Sequence, residues 1–279
     1  MSNLAKMKAL ALNSTGTAMT EVEIAKPKPG DNEVLIKVIY SALDTSLANI
    51  AKRDMISSYI HDTKVEPLVA GYHFSGIVAA KGSSVSSFQA DDRVFGHLQY
   101  EPTQRQGSFC EYIVMGENDI ALVPTTHVSM EKAAASTTEA LTALQSVRDL
   151  GRLRKDQSIL IIGAGGGVGS AAVGIAKALG ANVTAVCSTK DVKRVQRMGA
   201  DTIIDRSTQD IKKLNEKYDI VVDAPSRYSF FIQGMKWLKP GGAFINTLPG
   251  LEKLVFGWLW PLITSKRLET VLVTSKKTD

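Results

Sequence analysis

Ser158-Ile-Leu-Ile-Ile162-Gly163-Ala-Gly-Gly-Gly167-Val-Gly169-Ser-Ala-Ala-Val-Gly-Ile-Ala-Lys-Ala-Leu179 is the stretch that decides the fold. Ser158–Ile162 is a continuous apolar run, the pattern of a strand buried on both faces. Val168–Leu179 is small and aliphatic without proline, and predicts a helix. The loop between them does not fit a strict G-x-G-x-x-G, because the last glycine of that spacing would fall on Val168. Two related registers do fit: Ala164, Gly166, Gly169, and Gly163, Gly166, Gly169. Such a loop must turn tightly, present bare backbone to a pyrophosphate, and let helix and strand meet closely. Gly166, Gly167 and Gly169 are assigned those tasks. The helix start then offers free N–H groups and a positive dipole end to phosphate. A flexible linker would also be glycine-rich, but it would not be flanked by a buried strand and a good helix.

Working outward, strands and helices alternate. After Val168–Leu179 come a strand Asn182–Cys187, a helix Asp191–Met198 and a strand Thr202–Ile204. A helix Ile211–Lys217, a strand Ile220–Val222, a helix Tyr228–Leu238 and strands Ala243–Asn246 and Glu269–Val273 complete the series. Apolar runs separated by crossover helices predict a doubly wound parallel sheet of six strands, an α/β fold. Upstream the texture differs. Glu33–Tyr40, Ser75–Ala80, Asp92–Phe95 and Phe109–Met115 are short strands separated by turn signals, so residues 1–125 read as a mostly β domain. Met130–Asp149 is an interdomain helix that belongs with residues 126–279.

Composition excludes several classes. The chain has 279 residues, 44% hydrophobic and 22% charged, which suits a packed core and argues against disorder. Its net charge of +5 is dispersed, giving a mild preference for anionic ligands and no nucleic-acid footprint. Two cysteines, Cys110 and Cys187, cannot form a zinc cage or a disulfide framework and point to a reducing, cytoplasmic setting. The apolar Leu254–Thr264 is too short to span a bilayer. It reads as packing or subunit contact, while peripheral membrane contact stays open.

The second strand's end selects the nucleotide. NAD-binding sites of this kind place an acid there for the ribose 2′-hydroxyl. Here the segment is Cys187-Ser188-Thr189-Lys190, with no acid before Asp191. Ser188 and Lys190, with Arg206 from the neighbouring loop, would attract a 2′-phosphate and favour NADPH. Ala224, Thr247 and Leu248, following the strands Ile220–Val222 and Ala243–Asn246, are further cofactor candidates.

Pro67-Leu-Val-Ala-Gly71-Tyr-His-Phe-Ser-Gly76, Asp92-Arg-Val-Phe-Gly96, Gly107-Ser-Phe-Cys-Glu111-Tyr112, Ala140-Leu-Thr142-Ala-Leu144 and Arg197-Met-Gly-Ala-Asp201 join the glycine loop in a wider pattern. Together they resemble the medium-chain dehydrogenase/reductases, in the quinone oxidoreductase branch that includes zeta-crystallin-like and alkenal reductases. The resemblance implies a GroES-like domain at residues 1–125 and a Rossmann domain beyond. It also implies a threonine near the nicotinamide at Thr142, and hydride transfer from NADPH to a quinone, enone or enal. Zinc-dependent relatives carry G-H-E where this chain has Gly71-Tyr72-His73, and a cysteine where it has Ser41-Ala-Leu-Asp44. A catalytic zinc is therefore not expected. Tyr72, Tyr59 and the cofactor's ribose hydroxyl are candidate donors to the substrate oxygen. Asp44 stands where the family usually has asparagine, which puts the usual substrate site in question. A non-catalytic NADPH-binding protein is the alternative reading, and an RNA-binding one ranks third. Relatives pair through the last strands, so a homodimer using Leu254–Thr264 is expected. The family's segment returning to the first domain is absent after Thr274, which implies a fragment or a shortened protein whose first domain exposes apolar surface.

Overall fold

The computed structural model describes residues 5–54, 57–124, 127–225, 231–247, 264–271 and 273–274. Its contacts divide the chain into two units, residues 1–138 with 274–279, and residues 139–273.

The first unit is built on β1 (Lys6–Leu12), β2 (Met19–Ala25), β3 (Glu33–Ala42), α1 (Thr45–Lys52), β4 (Leu68–Val69), β5 (His73–Lys81), β6 (Arg93–His97), β7 (Tyr112–Gly116) and β8 (Ile120–Leu122). β7-β3-β5-β6-β8 form an antiparallel five-stranded sheet, and β2-β1-β4 a three-stranded one. β1 buries Met7, Ala9 and Ala11 while its lysines face out, the period-2 pattern of a half-covered strand. Val34, Ile36, Phe74, Val78, Val94 and Ile113 make the core. Leu10, Ile39, Tyr40, Leu43, Tyr59 and Leu122 are large apolar side chains that remain exposed on this unit.

α2 (Met130–Leu144) continues as a π turn, Gln145–Leu150, in place of the single helix expected to Asp149. The Ser146 hydroxyl donates to the Thr142 carbonyl at 2.6 Å and the Gly151 N–H reaches the Ser146 carbonyl, so the ladder slips by one residue.

The second unit contains β9 (Ser158–Ile162), α3 (Gly167–Ala178), β10 (Asn182–Cys187), α4 (Val192–Arg197), β11 (Thr202–Asp205), β12 (Tyr218–Asp223), α5 (Phe231–Lys236), β13 (Leu238–Asn246) and β14 (Arg267–Thr270). All six strands are parallel, in the order β11-β10-β9-β12-β13-β14, so the chain reverses direction across the sheet between β9 and β12. Ile159 and Ile161 pack on one face with Val173 and Ala185, whereas Leu160 and Ile162 pack on the other with Val186, Trp237 and Phe244. Both faces are covered, which is why the run in β9 shows no alternation.

Two expected elements differ. Ile211–Lys217 is not a helix; a single 3-10 turn, Ile211–Lys213, is capped by Asp210 and followed by extended backbone at Leu214. The Leu214 carbonyl accepts instead from the Trp237 indole N–H at 3.1 Å, a tertiary bond that ends the helical ladder. The last strand runs Arg267–Thr270 rather than Glu269–Val273, because register with β13 begins at Ala243↔Arg267. The Leu254–Thr264 surface, apart from Thr264, and part of the Tyr228–Leu238 helix lie outside the described residues.

Candidate active site

The glycine loop leaves β9 at its carboxyl end, beside the point where the sheet reverses. The tight turn falls on Gly163, at φ 77°, not among Gly166, Gly167 and Gly169. A β-carbon there would also meet Pro225 at 2.5 Å. At Gly169 a β-carbon would sit 2.2 Å from the Gly163 carbonyl oxygen, so only glycine lets α3 pack this closely on the loop. Gly166 caps α3 in extended conformation, and its α-carbon faces open space with only the Gly163 oxygen at 3.4 Å. Of the two sequence registers, the geometry follows Gly163, Gly166, Gly169. The Gly163 and Ala164 N–H groups are committed to the Val186 carbonyl. Those of Gly167, Val168 and Gly169 occupy the first turn of α3, where helix geometry supplies no acceptor. Bare backbone, unpaired donors and a positive helix end together suit a pyrophosphate.

Ala224 and Thr247 lie at the carboxyl ends of β12 and β13, joined by a 2.8 Å bond from the Thr247 hydroxyl to the Ala224 carbonyl. The Ala224 N–H donates to Ile162, at the loop's start, so both residues border the same edge. Thr142 is buried in α2, and Leu248 lies outside the described residues.

At the end of β10, Ser188, Lys190 and Arg206 gather with groups that sequence reading missed. Lys190 and Arg206 are exposed, and the Arg206 N–H donates to the Cys187 carbonyl. The Ser188 hydroxyl donates to Asp191 at 2.8 Å, and Asp191 also receives Arg194 at 2.9 Å. Arg194 reaches the Gly165 carbonyl as well, tying α4 to the glycine loop. Parallel register sets Asp205 level with Cys187, where it accepts from Thr189 at 2.7 Å. Arg194 and Ser188 lower the Asp191 pKa, and Thr189 and Ser207 lower that of Asp205, so both carboxylates are ionised. Lys190, Arg194 and Arg206 thus face two acids. The i,i+3 spacing of Asp191 and Arg194 was the available signal for that pair.

The first unit holds a second polar constellation. His73, 1% exposed at the start of β5, places Nε2 3.0 Å from Asp44 Oδ2 and 2.9 Å from the Thr138 hydroxyl. Its Nδ1 lies 3.1 Å from the Thr137 hydroxyl on α2. Asp44 caps α1 through the Ser46 N–H at 3.0 Å and accepts from the Tyr100 hydroxyl at 3.3 Å. Burial opposes its ionisation, but the hydrogen bonds from His73 and Ser46 outweigh that and lower its pKa. An ionised Asp44 only accepts, so His73 carries a proton on Nε2; its Nδ1 shares a hydrogen bond with the Thr137 hydroxyl, which also reaches the Ala134 carbonyl at 3.3 Å.

The remaining candidates differ in access. Tyr72 is fully buried; its hydroxyl donates to the Ile60 carbonyl at 2.7 Å, beside His61 Nδ1 at 3.1 Å, and burial raises its pKa. Tyr59 is 66% exposed. Burial depresses His97 to about 3 and His61 to about 4, so both are neutral at pH 7. Burial also pushes Cys110 up to about 12, leaving that thiol unreactive at neutral pH. Among the described residues no cluster of His, Cys, Asp and Glu has the geometry of a metal site.

Comparison with known proteins follows the same division. Residues 30–125 match the alcohol dehydrogenase GroES-like domain, and residues 167–268 the family described as zinc-binding dehydrogenase. A chloroplastic quinone-oxidoreductase homolog of Spinacia oleracea is 30% identical over 278 residues, spanning 93% of this chain and 79% of that protein. A chloroplastic NADPH-dependent alkenal/one oxidoreductase of Arabidopsis thaliana is 31% identical over 84% of this chain and 61% of its own length. The solved quinone oxidoreductase of Coxiella burnetii superposes with a TM-score of 0.79 at 23% identity, over 98% of this chain and 84% of that one, which speaks for the fold. The chain belongs to the medium-chain dehydrogenase/reductase superfamily, in its quinone oxidoreductase branch.

Proposed function

We propose that this protein is an NADPH-dependent oxidoreductase that reduces a quinone, or the activated C=C bond of an enone or enal, without zinc. The observation that carries the reading is the cradle at Gly166, where a β-carbon would fill space left bare beside the first-turn N–H groups of α3. Those donors fit a pyrophosphate, and Lys190, Arg194 and Arg206 fit a 2′-phosphate on the adenosine end. When bound, the nucleotide supplies the hydride. The chain's own groups hold it: Gly163–Gly169 at the diphosphate, Ser188, Lys190 and Arg206 at the ribose phosphate, and Thr142, Ala224, Thr247 and Leu248 along the rest.

Negative charge that develops on the substrate oxygen requires a donor. Asp44 is an ionised acceptor and the Tyr72 proton is engaged by Ile60, so we assign this role to the Tyr59 hydroxyl, with Asp44 holding His73 in place. A homodimer and a reducing, cytoplasmic compartment remain part of the proposal; no helix among the described residues is long and apolar enough to cross a membrane.

The test is a fluorescence titration with NADPH and NADH at one ionic strength. NADPH is expected to bind preferentially, and Lys190→Glu to weaken it at least tenfold while leaving NADH nearly unchanged. Equal affinity for both nucleotides in the native chain refutes the choice of NADPH.

A further inference from the structure

The amino ends of the same parallel strands frame a second recess, at the opposite edge of the sheet from the glycine loop. A cavity of about 230 Å³ lies there, walled by Arg152, Arg154, Gln157, Asp219 and Arg267 with backbone from Pro240–Gly242. β9 alone, five residues long, separates the two edges by roughly 16 Å.

The wall carries two arginines, Arg152 and Arg154, beyond those its acids offset. Asp219, the acid on this wall, accepts from Ser158 N–H, the Ser158 hydroxyl and Lys239, each at 2.8 Å. Its negative charge is therefore matched by Lys239, which leaves Arg152 and Arg154 in excess. Arg267 gives one N–H to the Leu150 carbonyl at 2.9 Å and another to Gly151 at 3.2 Å, covering the negative end of the π turn; Glu269 stands 3.9 Å away. Gln157 spends its carbonyl oxygen on the Arg154 N–H, which leaves the amide NH2 to donate. Arg152 and Arg154 are exposed, and neither has an ion-pair partner among the described residues. Arg152 also sits at φ 55°, a conformation that side chains other than glycine and asparagine seldom adopt.

Arg152 and Arg154, with Arg267 and the Gln157 amide, line one small recess and suit the charge of a doubly charged oxyanion, because guanidinium forks bind phosphate oxygens in pairs. We propose that this recess is a second anion site, which binds a small phosphate group apart from the nucleotide. A phosphate there joins the end of the π turn to the starts of β12, β13 and β14, so its occupancy stabilises the second unit.

The experiment is calorimetric titration of the full chain with inorganic phosphate at constant ionic strength, with no nucleotide present. Saturable binding is expected, together with a rise in Tm. Arg152→Ala and Arg154→Ala are each expected to weaken it at least tenfold, whereas Lys190→Glu leaves it within twofold of the native chain. Both arginines are exposed, so the variants should keep the native melting temperature in the absence of phosphate. Retention of binding in the double variant Arg152→Ala/Arg154→Ala would mean that phosphate occupies the nucleotide site instead, and overturns the proposal without touching the cofactor reading. Absence of saturable binding overturns it as well. Glycerol 2-phosphate in a parallel titration distinguishes the source: tighter binding than inorganic phosphate indicates an ester, weaker binding the free ion.

Discussion

Gly169→Ala and Gly166→Ala, three positions apart in one loop, should break the protein in different ways. At Gly169 the added methyl would lie 2.2 Å from the Gly163 oxygen and 2.9 Å from the Ala164 α-carbon. Relief requires α3 to move by about 1 Å, since the obstruction is backbone and Gly163 is fixed by its bond to Val186. Overpacking of this kind costs about 1–3 kcal/mol, and a clash with backbone belongs at the upper end. Replacing a helical glycine by alanine returns about 0.5–1 kcal/mol of conformational entropy. The net loss is then about 2 kcal/mol, several degrees in Tm at about 2–4 °C per kcal/mol. At Gly166 the nearest atom is 3.4 Å away and the backbone, φ −89° and ψ 176°, accepts any residue. Stability should hold or rise by about 0.5 kcal/mol. The methyl instead fills the surface that the pyrophosphate approaches, so NADPH affinity should fall at least tenfold. Urea denaturation and nucleotide fluorescence measure the two effects separately. Native NADPH affinity in Gly166→Ala, or native stability in Gly169→Ala, would refute the assignment of tasks within the loop.

Three further outcomes follow from the first unit. Asp44→Asn keeps a good helix cap but loses the charged bond to His73, and should cost about 1.5–3 kcal/mol in urea at pH 7. Because the native Asp44 pKa is lowered from 3.8, its contribution is present above that value and lost below it; the gap between native chain and variant should therefore close in acid. His61 and His97, depressed from 6.5 to about 4 and about 3, contribute stability that is complete above pH 6.5 and drains away as pH falls toward those values. The free energy of unfolding from urea titrations should thus decline by roughly 3–5 kcal/mol between pH 7 and pH 4.5, and His97→Phe should remove part of the slope. Tyr59→Phe should lower kcat with a quinone or enal about 10–100-fold at unchanged NADPH affinity; an unchanged kcat transfers the donor role elsewhere.

The parts of the fold carried by local pattern were legible, and those carried by distant contacts were not. β9, α3 and β10 were readable because both faces of the sheet are covered, so the apolar run is unbroken and the glycines mark its end. Ile211–Lys217 has helical spacing in its apolar residues, yet the Leu214 carbonyl is taken by Trp237 from beyond α5, information absent from the segment itself. Within five closely spaced glycines, composition cannot say which one turns; Pro225, after β12, fixes that at Gly163. The same holds at the ribose end. The segment after β10 reads as acid-free, but parallel pairing brings Asp205 level with Cys187, and α4 returns Asp191 and Arg194 to the loop. A 2′-phosphate would meet three cations and two acids there, a narrower electrostatic margin than the linear sequence suggested.

Asp44 presents the sharper lesson in how a substitution should be weighed. Against a family that usually has asparagine at this position, an aspartate alone looks like a site losing its donor. His73, where zinc-dependent relatives have glutamate, looks equally out of place. The two lie 29 positions apart in sequence, yet their side chains meet at 3.0 Å. A histidine that is 1% exposed needs partners for both ring nitrogens, since a buried unsatisfied donor costs about 1–3 kcal/mol. Thr137 serves Nδ1, and an asparagine at position 44 would offer Nε2 a neutral acceptor where aspartate offers a charged one, roughly twice as strong. Thus Asp44 is explained by His73, and neither residue needs the decay of an active site to account for it. That removes one of the reasons for reading the chain as a non-catalytic nucleotide binder and returns the question to turnover, which a panel of enals and quinones decides.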